Sequence, residues 1–118
     1  MDPLKRLETD EAMSSILDAW ELLRTQHREV PAQAVTVLFY VASHNPCHKQ
    51  AIEEDYGLTT ASCSRSVDFL CDNNRFRKPG LGLIHKYTDQ SNRRRYLLKL
   101  TPKGESFIKQ FKQFIYAH

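Results

Sequence analysis

The chain has 118 residues, 41% of them hydrophobic and 26% charged, a balance that suits one folded domain and excludes a disordered chain. No apolar run approaches the roughly 20 residues that cross a bilayer, and no signal-peptide pattern opens the acidic N-terminus, so no membrane partner is expected and the expected compartment is the cytoplasm. The net charge of +3 hides a division: residues 1–74 carry 6 Lys/Arg and 12 Asp/Glu, residues 75–118 carry 11 and 2, and so dense a patch of one sign favours a polyanion over a merely solvated surface.

Along the chain, Met13, Ile16, Leu17, Trp20 and Leu23 recur at steps of three and four residues, the mark of a helix that buries one face; Leu4 and Leu7 extend it by a turn. A second helix is predicted from Val30-Pro31, where proline suits the first helical position. It carries Ala34, Val35, Leu38, Phe39 and Ala42 and stops at Ser43-His44-Asn45-Pro46. A short helix over 48–55 is halted at Tyr56-Gly57, and another runs to Asp72 with Thr59 or Thr60 as its cap. Two helices joined by a tight glycine turn make a helix-turn-helix candidate.

After Asn73-Asn74 the period changes. Residues 83–88 and 95–100 read as two strands joined by a turn at Asp89-Gln90-Ser91-Asn92, with Tyr96, Leu98 and Leu100 on one face and Arg95, Leu97 and Lys99 on the other. Thr101 caps a last helix that starts at Pro102 and carries Phe107, Ile108, Phe111, Phe114 and Ile115. The expected fold class is therefore α+β, mostly α: a winged helix-turn-helix with a two-stranded β-hairpin wing.

The stretch "GLIHKYTDQSNRRRYLLKLTPKGESFI" and the helix "LTTASCSRSVDFL" together resemble the MarR family of transcription regulators, over residues 30–111. Length and the lack of any linker point to one domain over residues 1–118, with a DNA-binding core and wing over 30–101. The apolar stripes of the helices in 1–29 and 102–118 exceed what so small a core needs, so these helices would pair two copies, as in the family. The resemblance also implies duplex DNA as partner and a wing arginine, Arg94, at the minor groove. The sequence departs from the family where Asn92 replaces the aspartate of an Asp-x-Arg motif. The loop "CDNNRFRKPGLG" is longer and more basic than the family's, and the chain ends at His118 where family members continue into another helix. A small phage- or plasmid-type regulator with the same core is equally compatible.

On a helical wheel Cys63, Val67, Leu70 and Cys71 face the core, while Ala61, Ser62, Arg65 and Asp68 lie opposite with Phe69 at the flank. Small residues let such a helix enter a major groove, where an arginine can pair with guanine O6 and N7. Thr60, Ser62, Ser64 and Arg65 are the candidate contacts, Arg65 for a base; the bland alternative pairs Arg65 with Asp68 or leaves it in water. Asn92, Arg93, Arg94 and Arg95 place charge on the hairpin, where it can follow phosphates or enter a narrow minor groove. Strand alternation would set Arg94 apart from Arg93 and Arg95. The alternative is a charged edge strand that resists aggregation. Arg75, Arg77 and Lys78 could hold flanking phosphates.

His44, Cys47 and His48 invite a zinc reading, but no second Cys/His pair follows at zinc-finger spacing, and Cys63 and Cys71 read as buried apolar residues. Three cysteines make no disulfide framework. Nothing has the pattern of an active site, and Glu53-Glu54-Asp55 reads as a charged helix face, so no enzyme and no cofactor is expected. No residues specify a small-molecule effector. The sequence thus predicts a homodimeric, sequence-specific DNA-binding repressor of transcription, with two recognition helices roughly 34 Å apart on a pseudo-palindromic site. The rival readings are a protein-interaction module and a DNA-binding replication or segregation factor.

Overall fold

The computed structural model describes residues 8–72 and 80–116. Leu4, Leu7, Arg75, Arg77 and Lys78, singled out above, lie outside the described residues. Five helices and three short strands follow in the order α1 (Glu11–Arg24), α2 (Ala32–Ser43), β1 (Cys47–His48), α3 (Lys49–Tyr56), α4 (Thr60–Leu70), β2 (Ile84–Thr88), β3 (Tyr96–Leu100) and α5 (Pro102–Ile115). The architecture is mostly α, with a winged-helix arrangement in which the two terminal helices, α1 and α5, pack on each other.

Local chemistry explains most boundaries. The Asp10 carboxylate accepts the Met13 N–H and starts α1. Thr59 caps α4 by accepting the Ser62 N–H at 3.1 Å. Thr101 caps α5 by accepting the Gly104 N–H at 3.0 Å, with Pro102 behind it at the first helical position. Gly57 ends α3 with φ 63°, a left-handed backbone that L side chains rarely adopt, and so turns the chain into α4. Gly104 answers a different need. A Cβ there would lie 2.0 Å from the Leu83 carbonyl oxygen, so glycine lets α5 lie directly against the approach to β2.

The core gathers Leu23 of α1, Val37, Leu38 and Val41 of α2, Ile52 of α3, Cys63, Val67 and Leu70 of α4, and Leu83, Ile84 and Leu98 of the sheet region, all inaccessible to solvent. Fully burying each aliphatic side chain contributes about 1.5–3 kcal/mol, which fastens α4 by its inner face.

The expected hairpin forms from β2 and β3, and β1 adds to it by pairing antiparallel with β3 (Cys47 with Leu98, His48 with Leu97), so the sheet order is β1-β3-β2. A two-residue strand gives no alternation to read, so its signal was invisible. Three expectations need correction. In α1 only Leu23 of the predicted stripe is buried; Ser15 and Ala19 join it against the fold, while Met13, Ile16, Leu17 and Trp20 face outward, Leu17 with 58% exposure. Periodicity shows that a face is apolar but not what covers it. Asp68, assigned to the outer side of α4, is buried, while Arg65 on the same helix is exposed. Tyr96, expected to anchor β3 beside Leu98 and Leu100, is 47% exposed because the core ends before the hairpin tip.

Candidate nucleic-acid interface

The outward side of α4 and the tip of the wing form the candidate site, and buried or half-buried polar contacts hold the start of α4 in place. In α3 Lys49 is 7% exposed, and its ammonium donates to the Glu53 carboxylate and reaches the Thr60 carbonyl at 3.4 Å. Glu53 also accepts the Thr60 hydroxyl at 3.0 Å. One ion pair thus clamps the start of α4 to α3, and neither charge stands alone. Glu53 is therefore an internal clamp and not a part of a merely charged face; Asp55 accepts the Tyr40 hydroxyl at 2.7 Å and joins α3 to α2. That bond to a carboxylate pushes the Tyr40 phenol up to about 12.

Cys63, Val67 and Leu70 of α4 pack inward as predicted, leaving Arg65 and Ala61 exposed and Ser62 and Ser64 half-buried. The Thr60 hydroxyl is held by Glu53, and the Ser62 hydroxyl lies 2.9 Å from Thr59 Oγ1 within the cap. Ser64 instead lines the cleft towards the wing.

In the wing, Arg93 and Arg94 form a turn and Arg95 precedes the first residue of β3. All three arginines therefore stand outside the strand, and strand alternation does not sort them. Asn92 shapes this turn: its Oδ1 accepts the Arg94 N–H at 3.1 Å and its carbonyl accepts the Arg95 N–H at 2.9 Å. The amide thus supplies the same backbone acceptor that an aspartate would, without a charge beside the arginines. At the other side of the turn Asp89 accepts the Ser91 N–H at 2.9 Å and hydroxyl at 2.8 Å, and pairs with His48 Nε2 at 2.8 Å. The bonds from His48 and Ser91 hold the Asp89 carboxyl down at about 2. None of Arg65, Arg93, Arg94 and Arg95 enters an ion pair among the described residues.

Between α4 and the wing lies a cleft of about 300 Å3, to which α3 contributes Lys49, the recognition-type helix Ser64, and the wing Lys86, Arg94, Arg95 and Tyr96. Lys86 sits with its ammonium 4.9 Å over the Tyr96 ring, a cation–π contact that fixes both. Sequence reasoning missed Lys49, Lys86 and Tyr96 as parts of this wall. The signal was present: Lys86 pairs with Leu98 and Ile84 with Leu100, so Lys86 and Tyr96 continue the core-facing side of the hairpin beyond the point where apolar cover runs out.

His44, Cys47 and His48, set aside above as zinc ligands, have other surroundings. His48 is turned to Asp89, the His44 ring lies tilted against Tyr40 with centroids 4.7 Å apart, and Cys47 is buried; among the described residues no group of three or more His, Cys, Asp and Glu could hold a metal ion. No helix among the described residues is long and apolar enough to cross a membrane.

A helix-turn-helix braced by a three-stranded sheet, with a charged turn beyond it, defines a winged helix-turn-helix. Within that class the chain has the fold of the MarR-type transcription regulators. It matches AbfR bound to DNA with TM-score 0.61 and 17% identity, over 89% of this chain and 70% of that one. A cysteine-to-serine variant of MarR from E. coli, complexed with operator DNA, matches with TM-score 0.60 and 16% identity over 88% and 70%. The PcaV transcriptional regulator from Streptomyces coelicolor matches with TM-score 0.55 and 23% identity over 90% and 78%. No family model and no curated protein matches the sequence.

Proposed function

We propose that the protein is a homodimeric, sequence-specific regulator that binds duplex DNA, with α4 in the major groove and the wing arginines at the minor groove. The observation that carries this reading is that Arg65 on α4 and Arg93–Arg95 at the wing tip are exposed and enter no ion pair among the described residues, while Ser64 of α4 shares one cleft with Arg94 and Arg95. The basic excess of residues 75–118 and the solved DNA complexes of AbfR and MarR support it. In this reading Arg65 reads a base, Ser64 and the wing charges hold the backbone, and the hydroxyls of Thr60 and Ser62 contribute while capping the helix. Arg75 and Arg77 would reach flanking phosphates.

The dimer is supported by the outward stripe of α1, where Met13, Ile16, Leu17 and Trp20 are each more than two-fifths exposed, beside Phe114 and Tyr116 at the end of α5. Two copies joined there would present two copies of α4 to a pseudo-palindrome. Bound at a promoter, such a dimer would act as a repressor by covering DNA, a mode that requires no further surface.

Selection from random duplexes, followed by binding of Arg65→Ala and Arg94→Ala to the enriched site, tests the reading. Arg65→Ala is expected to lose about 1–3 kcal/mol of discrimination at one base pair, and Arg94→Ala to weaken binding. Wild-type affinity and discrimination in both variants, or no salt-dependent duplex binding at all, would sink it.

A further inference from the structure

Helix α2 ends at Ser43 and α3 at Tyr56, and both ends open onto one pocket of about 270 Å3. Thr36, Phe39, Tyr40, Ser43, His44 and Tyr56 line it, so its walls come from α2, its cap and α3 alone. The rings do not close into a stack. Tyr56 stands at 89° to Tyr40 with centroids 5.8 Å apart, and His44 is inclined to Tyr40 by 48° at 4.7 Å. Rings at such angles make the sides of a corner, whereas parallel offset rings would cover one another's faces. Two of the walls are fixed from behind: the Tyr40 hydroxyl donates to Asp55 at 2.7 Å, and Phe39 packs on Phe111 of α5 at 5.1 Å. Core packing does not account for Tyr56, which is 60% exposed.

The charge around this corner favours one sign of ligand. Among the described residues no lysine or arginine lines it, and residues 50–60 contain Glu53, Glu54 and Asp55 without a basic residue. Lys49, the nearest cation along α3, is neutralised by Glu53. The C-terminal ends of α2 and α3 add the negative ends of two helix dipoles. A phenol that donates to a carboxylate has a more electron-rich ring, and ring faces attract cations. We propose that this pocket binds a small organic cation of the alkylated or quaternary ammonium class, with Tyr40, His44 and Tyr56 around its head group and Asp55 as the countercharge. Rings suit such a head group better than they suit a metal ion, which needs oxygen ligands that the pocket does not gather. The volume lies below the roughly 300–1,000 Å3 typical of drug-sized ligands, so the occupant is small. The proposal stands on α2 and α3 and is independent of DNA binding.

The test compares choline with its uncharged isostere, in which a carbon replaces the nitrogen, by NMR of the aromatic rings in the whole chain. It is run at pH 8, above the range in which imidazoles ordinarily carry charge. Choline is expected to shift the Tyr40, His44 and Tyr56 ring signals saturably and to bind about tenfold more tightly than the isostere. Tyr56→Leu, at a largely exposed position, and Asp55→Asn are each first shown by thermal melting to fold. Each should lower the affinity for choline about fivefold and leave that for the isostere nearly unchanged. Equal affinity for the two molecules, or the absence of a saturable shift, overturns the proposal. So does a wild-type preference for choline in either folded variant.

Discussion

The imidazole of His48 stands 2.8 Å from the carboxylate of Asp89 and joins β1 to the residue that follows β2, a strand with which β1 does not pair, across β3. His48 is opposite Leu97, Leu97 is opposite Tyr87, and Asp89 lies two residues further on the same side. The root of the helix-turn-helix and the turn that bears three arginines are thereby tied directly.

This tie should be visible as the titration of Asp89. Its carboxyl is held at about 2, first by His48 and then by Ser91, against an ordinary value of 3.8. A group depressed in the fold stabilises it fully above its unfolded value, and the contribution is lost as the pH falls through the folded value. The Asp89 contacts should therefore persist at pH 4 and disappear towards pH 2. Carboxyl NMR is expected to show the midpoint near 2 in wild type and a rise towards the ordinary range in His48→Ala; an unmoved midpoint would refute the tie.

Replacing Asn92 by aspartate should leave the wing's shape intact and weaken its grip on an anion. Either side chain presents an oxygen to the Arg94 N–H, but only aspartate adds a negative charge beside three arginines. Asn92→Asp is expected to keep the melting temperature and to lower duplex affinity several-fold at low salt, with the difference shrinking as salt rises. A loss of affinity that salt does not diminish would point to a change of shape instead.

Gly104→Ala should destabilise the fold by about 1–3 kcal/mol or more, the cost of forcing extra volume into a packed place. The added methyl would meet the Leu83 backbone at 2.0 Å, and backbone yields less than a side-chain tip. Denaturant melts would register this directly, and an unchanged midpoint would show that α5 can lift away from β2 freely.

The three cysteines should resist thiol reagents in the folded protein. Burial is the leading cause that pushes Cys47 and Cys63 up to about 11 and Cys71 up to about 12. The reactive thiolate is therefore scarce at pH 8. The sign for stability follows: above pH 9 the unfolded chain loses thiol protons that the fold retains, so stability falls as the pH rises beyond 9. Labelling by a thiol reagent should be slow in buffer and rapid in denaturant; rapid labelling in buffer of any one cysteine would contradict its burial.

Trp20 is the chain's only tryptophan and lies on the outward stripe of α1, so its emission reports whether that stripe is covered. If two copies join there, dilution should shift the emission to the red as the dimer dissociates. Leu17→Glu should give the red-shifted spectrum and the monomer's sedimentation at every concentration. A concentration-independent spectrum in wild type, with a monomer's mass, would exclude pairing through α1.

Local chemistry was the legible part of the sequence. Thr59, Gly57, Thr101 and Pro102 each act through the backbone of their own turn or an immediate neighbour, and each marks its element where the structure has it. The inward face of α4 was legible for the same reason, since four apolar residues on one side leave little choice. What escaped was set by distant partners. The stripe of α1 looks like a buried face until α5 is seen to cover the Ala19 side instead. Asp68 looks like a surface residue, and Cys47-His48 looks like loop, because burial and strand pairing depend on residues far along the chain. Tyr96 was placed with the core-facing leucines and Lys86 was not singled out, for a cleft exists only once helix and hairpin stand face to face.

The position of β1 has a mechanical consequence. His48, its last residue, is followed directly by Lys49, the first of α3, and Lys49 grips the start of α4 while Cys47 and His48 grip β3. Three consecutive residues therefore tie both prongs of the molecule, α4 and the wing, to a single anchorage. If the proposed DNA binding holds, the pair would work as a fixed-gauge caliper: a duplex whose grooves do not match its opening would itself have to bend or narrow to be held, and the energy of that adjustment would enter the choice of site at base pairs the protein never touches.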